Sequence, residues 1–223
     1  SACLQDLPRR LIRLTLTHNN TIDSSGMQYL PRTLVELDLH DNLNITDACC
    51  CYFPRTLQLL NLGKNQKLTD AGILLLPEEL EQLILTDNKK ITGECFAKMP
   101  PSLVRLDLGS VTKVNDAQLF LLPSTLERLD LSSVKFSDSA TIGISDRFPD
   151  MTVLMLAARK KISDESIPRL PPKLTKLVLS SSSLLDPDMA CGFSPFLEEL
   201  DIRASKKVGA AYLANLPKRL KLL

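Results

Sequence analysis

The stretch from Pro31 to Phe53 reads PRTLVELDLHDNLNITDACCCYF, and these 23 residues contain the plan of the chain. Leu34, Leu37 and Leu39 make an apolar frame, and Leu37-Asp38-Leu39 alternates with the two-residue period of a short strand buried on one face. A bend follows at Asp41-Asn42. Ile45-Thr46-Asp47 then supplies an apolar anchor, a hydroxyl suited to cap the first N–H groups of a helix, and an acid suited to its positive end. Roughly two helical turns fit before Pro54, which disfavours helix in the residue ahead of it.

The unit recurs in both directions. Pro8, Pro31, Pro54, Pro77, Pro100 and Pro123 are 23 residues apart. The last apolar position of the frame returns at Leu16, Leu39, Leu62, Leu85, Leu108, Leu131, Leu156, Leu179 and Ile202, and a truncated tenth frame opens at Leu220 and Leu223. The step is 23 throughout except for 25 between Leu131 and Leu156. The helix-start signal repeats as Leu68-Thr69-Asp70, Val114-Asn115-Asp116 and Ile162-Ser163-Asp164. Neither the strand nor the helix of one unit can bury its apolar side alone, whereas stacked units share a continuous core. The expected fold is therefore α/β: a single domain over residues 1–223 with about nine repeats, coiled as a horseshoe solenoid. A parallel sheet lines its concave side and short helices its convex side. The two extra residues lie in VKFSDSATIGISDRFPD and are expected to bulge at the bend or on the helical side.

The pattern LxxLxLxxN, seen from Leu34 to Asn42, Leu57 to Asn65 and Leu80 to Asn88, resembles the leucine-rich-repeat consensus, and the resemblance covers the whole chain. The Ile-Thr-Asp segment followed by Gly72 is similar to repeats of F-box-type substrate receptors, while the LPxxL opening resembles the shorter repeats of bacterial effectors. The resemblance implies protein ligands, and an Asn at the bend that bonds backbone groups of neighbouring coils. That Asn is present at Asn19, Asn42, Asn65 and Asn88 but gives way to Val111, Val134, Arg159, Ser182 and Ser205, where the bend must satisfy its backbone otherwise. Residues before Pro8 read as the tail of an earlier repeat and Leu223 falls inside a strand frame, so the expectation is a solenoid truncated or capped by partners at both ends.

A net charge of +1 gives no global attraction to nucleic acid or an anionic membrane. The chain has no Trp and only 4% aromatic residues, which leaves few stacking platforms for single strands. Apolar runs are short and interrupted by charge, so membrane insertion is not expected. SACLQDLPRR has no secretory-signal pattern.

Cys3, Cys49 and Cys95 each stand five residues before a repeat proline, alternating with Gly26 and Gly72. That register marks a column requiring small residues, and alternate coils lie about twice the ~4.8 Å strand spacing apart, beyond disulfide reach. Cys50, Cys51 and Cys191 have no Cys in the adjacent coils, and the Cys49-Cys50-Cys51 run lacks zinc-site spacing. Free packing cysteines fit a reducing, intracellular and cytoplasmic setting. Two sequons, at Asn19 and Asn44, oppose that setting, although Asn19 belongs to the expected buried Asn column. His18 and His40 lie near Asp38 and Asp41 without a clear third ligand, so no metal is expected. The chain holds no phosphate loop, dinucleotide fingerprint or nucleophile elbow. Neither a cofactor nor a catalytic residue is expected.

Candidate binding residues are those projecting from the strands. Arg105 and Arg128 beside Asp107 and Asp130 are expected to form an ion-pair ladder. Val153, Met155, Ala157, Ala158 and Val178 make an adjacent apolar patch, with Asp201 beyond it. Lys67, Lys90, Lys113, Lys135, Lys161 and Lys207 recur at the bend and form a basic edge, the one place where nucleic acid or an acidic protein would meet positive charge. Three functions follow: a non-catalytic module binding a protein through the concave face; a structural subunit of a large ribonucleoprotein or membrane assembly; or the substrate-recognition domain of a ubiquitin ligase or bacterial effector.

Overall fold

Each Leu-x-Leu frame forms a three-residue strand, because one inward leucine between two outward residues is all that a single coil can pack. The computed structural model describes residues 2–157, 165–180, 192–204 and 210–223. The strands are β1 (Arg13–Thr15), β2 (Glu36–Asp38), β3 (Leu59–Asn61), β4 (Gln82–Ile84), β5 (Arg105–Asp107), β6 (Arg128–Asp130), β7 (Val153–Met155), β8 (Lys176–Val178) and β9 (Glu199–Asp201). All nine pair in parallel and in chain order in one sheet. The register follows the repeat, with Leu37 beside Leu60 and Leu129 beside Leu154. The frame that opens at Leu220 adds a bridge between Glu199 and Leu222.

The helical side is slighter than the expected two turns. α1 (Ser24–Met27), α2 (Asp47–Cys50), α3 (Asp70–Ile73) and α4 (Asp116–Leu119) are four-residue helices, and α6 (Ala210–Ala214) has five residues. In the fourth full coil Gly93 stands where others carry Asp, at φ +90°, and a Cβ there would lie 2.8 Å from Gln118 Cγ. Left-handed backbone at that point stops an α-helix from starting, and a 3₁₀ turn at Phe96–Lys98 replaces it. The 25-residue coil places its extra length on the helical side: α5 (Asp138–Arg147) has ten residues. Its Arg147 guanidinium donates to the Leu122 carbonyl of the coil before.

Side-chain ladders fasten coil to coil. The amide of Asn42 donates to the carbonyls of Leu16 (2.9 Å) and Leu39 (2.8 Å), and Asn65 does the same for Leu39 (3.1 Å) and Leu62 (2.9 Å). Asn42, Asn65 and Asn88 are fully buried; Asn19, in the outermost coil, is half-buried. Asn88 ends the row with its Oδ1 buried and without a protein partner. At Val111 and Val134 the bend closes on its own main chain: the Val111 N–H donates to the Leu108 carbonyl (2.9 Å) and that of Val134 to Leu131 (3.0 Å).

A second ladder runs along the helix starts. Asp47 accepts from the Thr69 N–H (2.8 Å) and hydroxyl (2.7 Å), and Asp116 likewise from Ser137 (2.7 and 2.5 Å). Asp70 accepts from Thr92, Gly93 and Cys95. Burial acts to raise the Asp70 carboxyl, but the bonds from Thr92 and Cys95 prevail and hold it below its ordinary value.

The small-residue column is as expected. Cys49 and Cys95 are buried and free, and a Cβ on Gly72 would lie 2.5 Å from Asp47 Oδ1. Burial pushes both thiols upward, which suits packing rather than reactivity. The Cys3 side chain and Cys191 lie outside the described residues.

Candidate functional site

The outward column at the end of each strand is largely occupied by its own backbone. Asp38 Oδ1 accepts from the His40 N–H (2.9 Å), Asn61 from Gly63 (3.0 Å), Asp107 from Gly109 (2.9 Å), Asp130 from Ser132 (2.7 Å) and Asp201 from Arg203 (3.0 Å). These bonds shape the chain for the bend that follows, where His18, Asp41, Lys64, Asp87, Ser110, Ser133 and Ala204 all take φ between 56° and 62°. Aspartates recur there because a short acceptor two residues ahead of the bend is the cheapest way to satisfy it.

The expected ion-pair ladder therefore does not form. Among the described residues no ion pair joins Arg105 or Arg128 to Asp107 or Asp130, although such pairs close at both ends of the same face. Arg13 pairs with Glu36 at 3.0 Å and Lys176 with Glu199 at 2.6 Å. In the middle, like lies beside like: Arg105 is in register with Arg128, and Asp107 with Asp130. Burial, reinforced by the Asp107 charge, pushes the Asp130 carboxyl above its ordinary value despite the bonds from Ser132 and the charge of Arg105. Like charges directly opposed on neighbouring strands destabilise a sheet. Asp201 differs again, because Arg203 grips it through Nη2 (2.7 Å) and Nε (3.0 Å), which lowers its carboxyl.

The apolar patch is present but smaller than expected. Val153 is only 5% exposed, since the register sets it between the longer side chains of Arg128 and Lys176. Met155, Ala157 and Val178 are half-buried, and Met155 lies beside Val178. Ala158 lies outside the described residues. Lys67, Lys90, Lys113 and Lys135 are all exposed along the bend, Lys67 donating to Asn44 Oδ1 at 3.2 Å. Lys161 and Lys207 lie outside the described residues. His18 pairs with Asp41 (2.9 Å) and meets His40 edge to face, and no group of three or more His, Cys, Asp or Glu among the described residues could hold a metal. No described helix is long and apolar enough to cross a membrane.

One surface escaped the sequence reading. The residue two places before these repeat prolines projects from the helical side, leaving Tyr29 42%, Tyr52 36%, Leu75 49% and Leu121 43% exposed, with Leu74 and Phe120 beside them. Their equal distance from each proline was the available signal, and it was hidden because these positions read as the end of an apolar helix stripe.

The Leucine Rich repeat family model matches residues 53–76. Among solved structures, an internalin from Listeria monocytogenes aligns at 18% identity and TM-score 0.64, over 100% of this chain and 72% of that one. A chain of the yeast Rad7–Elc1 complex aligns at 18% identity and TM-score 0.62, over 85% and 67% respectively. The leucine-rich-repeat protein LegL7 from Legionella pneumophila aligns at 16% identity and TM-score 0.57, over 88% and 84%. No curated protein sequence matches the chain. Repeat, sheet and family model together define the chain as a leucine-rich-repeat solenoid. The match to that family model spans residues 53–76, and the likeness to the solved structures is one of fold, with no subfamily singled out.

Proposed function

We propose that the chain is a non-catalytic module that binds a protein partner through the concave face, centred on β5 to β8. The observation that carries this reading is the unrelieved charge of β5 and β6: paired arginines and paired aspartates in register, with no ion pair closed between them. A partner that lays a carboxylate over Arg105 and Arg128 relieves repulsion that the fold alone sustains. Beside that charge, Met155, Ala157 and Val178 offer apolar surface for an anchoring side chain. The fold class supports the reading as a family tendency, since sheets of this kind commonly present extended binding surfaces.

The test is capture of partners from source cells by the intact chain and by M155D/V178D. The new carboxylates fall in register between Asp130 and Asp201, so the variant should melt below the parent, and capture is compared at a temperature where both are folded. A protein held by the parent should be lost from the double variant by at least about tenfold in affinity. A117D, which adds a similar charge to the exposed helical side, should retain it. Retention by M155D/V178D removes the concave face as the binding surface.

A further inference from the structure

The residues immediately after the first three repeat prolines are Arg9, Arg32 and Arg55, and Arg10 adjoins them. The repeat stacks them on successive coils, about one strand spacing of ~4.8 Å apart. All four are exposed. Among the described residues no carboxylate forms an ion pair with any of them. In the next coil the sign reverses at Glu78 and Glu79. A self-neutralising surface would alternate its charges along the stack; here they are segregated, three coils of one sign against one of the other.

The same edge carries the exposed tyrosines and is creased between coils. A cleft of about 410 Å³ is lined by Leu7, Arg9, Tyr29, Leu30, Pro31 and Arg32, among others. Farther along, a cleft of about 270 Å³ is bounded by Phe53, Arg55, Leu75, Leu76 and Glu78. The larger volume is in the range of sites that bury an apolar group. The backbone beneath is pinned: the Thr33 hydroxyl donates to the carbonyls of Arg9 (3.1 Å) and Leu11 (2.8 Å), and that of Thr56 to Arg32 (2.9 Å) and Leu34 (2.6 Å). Arg32 itself reaches the Tyr52 carbonyl at 3.4 Å, which leaves its charge without an anion. Arginines stacked on a backbone pinned in this way suit carboxylates presented by an extended chain.

We propose that this edge docks an acidic, extended peptide segment of a protein partner. Its carboxylates lie on Arg9, Arg32 and Arg55, and an apolar side chain enters the cleft beside Tyr29. The reversal at Glu78 and Glu79 argues for a short acidic segment rather than a nucleic-acid backbone, whose phosphates would continue into carboxylates. Two tyrosines are likewise a poor stacking track for bases. This surface lies apart from the concave strands, so its fate does not depend on theirs.

The test uses the intact chain and fluorescence anisotropy with a short fluorescein-labelled peptide of Glu and Leu, its Gln-for-Glu twin, and labelled oligothymidylate. The acidic peptide should bind, weaken as salt is raised, and bind about tenfold or more better than its twin. R32Q/R55Q should lose about tenfold or more, and Arg55→Gln alone a smaller amount in the same direction. Tyr29→Ser should weaken binding without changing its salt dependence, whereas Arg169→Gln, on a distant coil, should leave it unaltered. Thermal unfolding of each variant checks the fold. The proposal is overturned if the acidic peptide does not bind, if R32Q/R55Q binds it as the parent does, or if oligothymidylate binds more tightly than the peptide.

Discussion

The coils with Asn42, Asn65 and Asn88 and the coils with Val111 and Val134 solve the same problem in two ways. Both must turn the chain after a strand and satisfy the carbonyls left at the turn. The first group places a buried amide between coils, so that each Asn bonds its own coil and the one before. The second fills the same interior position with a branched apolar side chain and satisfies the leucine carbonyl from the main chain. The amide ties neighbours together but buries an oxygen that needs a donor of its own, and Asn88 Oδ1 has none from the protein. Valine leaves nothing stranded, but also forms no bond to the preceding coil. The lesson is that an interior column can exchange hydrogen bonding for packing without changing the backbone, because the bend's φ at Ser110 and Ser133 matches that at Asp41 and Lys64.

Exchange across this divide should be unequal. Asn65→Val removes one of two side-chain donors from each of the Leu39 and Leu62 carbonyls and leaves the Asn42 N–H without its acceptor, so chemical denaturation should show a loss of about 2 kcal/mol. Val111→Asn places an amide where the Leu85 and Leu108 carbonyls can receive it, and should cost less than about 1 kcal/mol. Equal losses would show that the two bends are not alternative solutions of one problem.

Two aspartates extend the contrast to pH. Asp70 has a lowered carboxyl, so its stabilisation is complete above the ordinary carboxylate value and is lost as pH falls through the depressed one. Asp70→Asn should lose about 2 kcal/mol at neutral pH, with the deficit shrinking in acid. Asp130 has a raised carboxyl, so the sign is reversed: its contribution is complete below the ordinary value and is lost as pH rises through the elevated one. Asp130→Asn keeps the bond to Ser132, as Asn61 does to Gly63, and removes the charge beside Asp107. It should stabilise the neutral protein by up to about 1 kcal/mol, an advantage that vanishes in acid when thermal melts are compared across pH.

The smallest effect concerns the bend itself. Lys64 at φ +59° has no local bond that favours a left-handed residue, so Lys64→Gly should raise stability by about 0.5 kcal/mol. A loss on thermal melting would mean that the lysine's surface contacts outweigh its backbone cost.

The sequence displayed the solenoid, its register and the row of amides, because a period of 23 residues dictates which side chains point inward. What it hid were relations between coils on the surface. Val153 was legible as outward, but its cover by Arg128 and Lys176 depends on neighbours that periodicity does not weigh. Asp107 and Asp130 were legible as outward acids. Their bond to the residue two ahead is a local competitor for the arginine ion pair, and it won. Helix length was also over-read, since Gly93 and the one-turn helices reflect how little space a 23-residue coil leaves on its convex side.

The concave-face account is tested most directly by photo-crosslinking in source cells from a benzoylphenylalanine placed at Met155, with Glu94 on the helical side as the comparison position. The account predicts a discrete protein adduct from position 155 and none from position 94. An adduct from position 94 with none from 155 would contradict it.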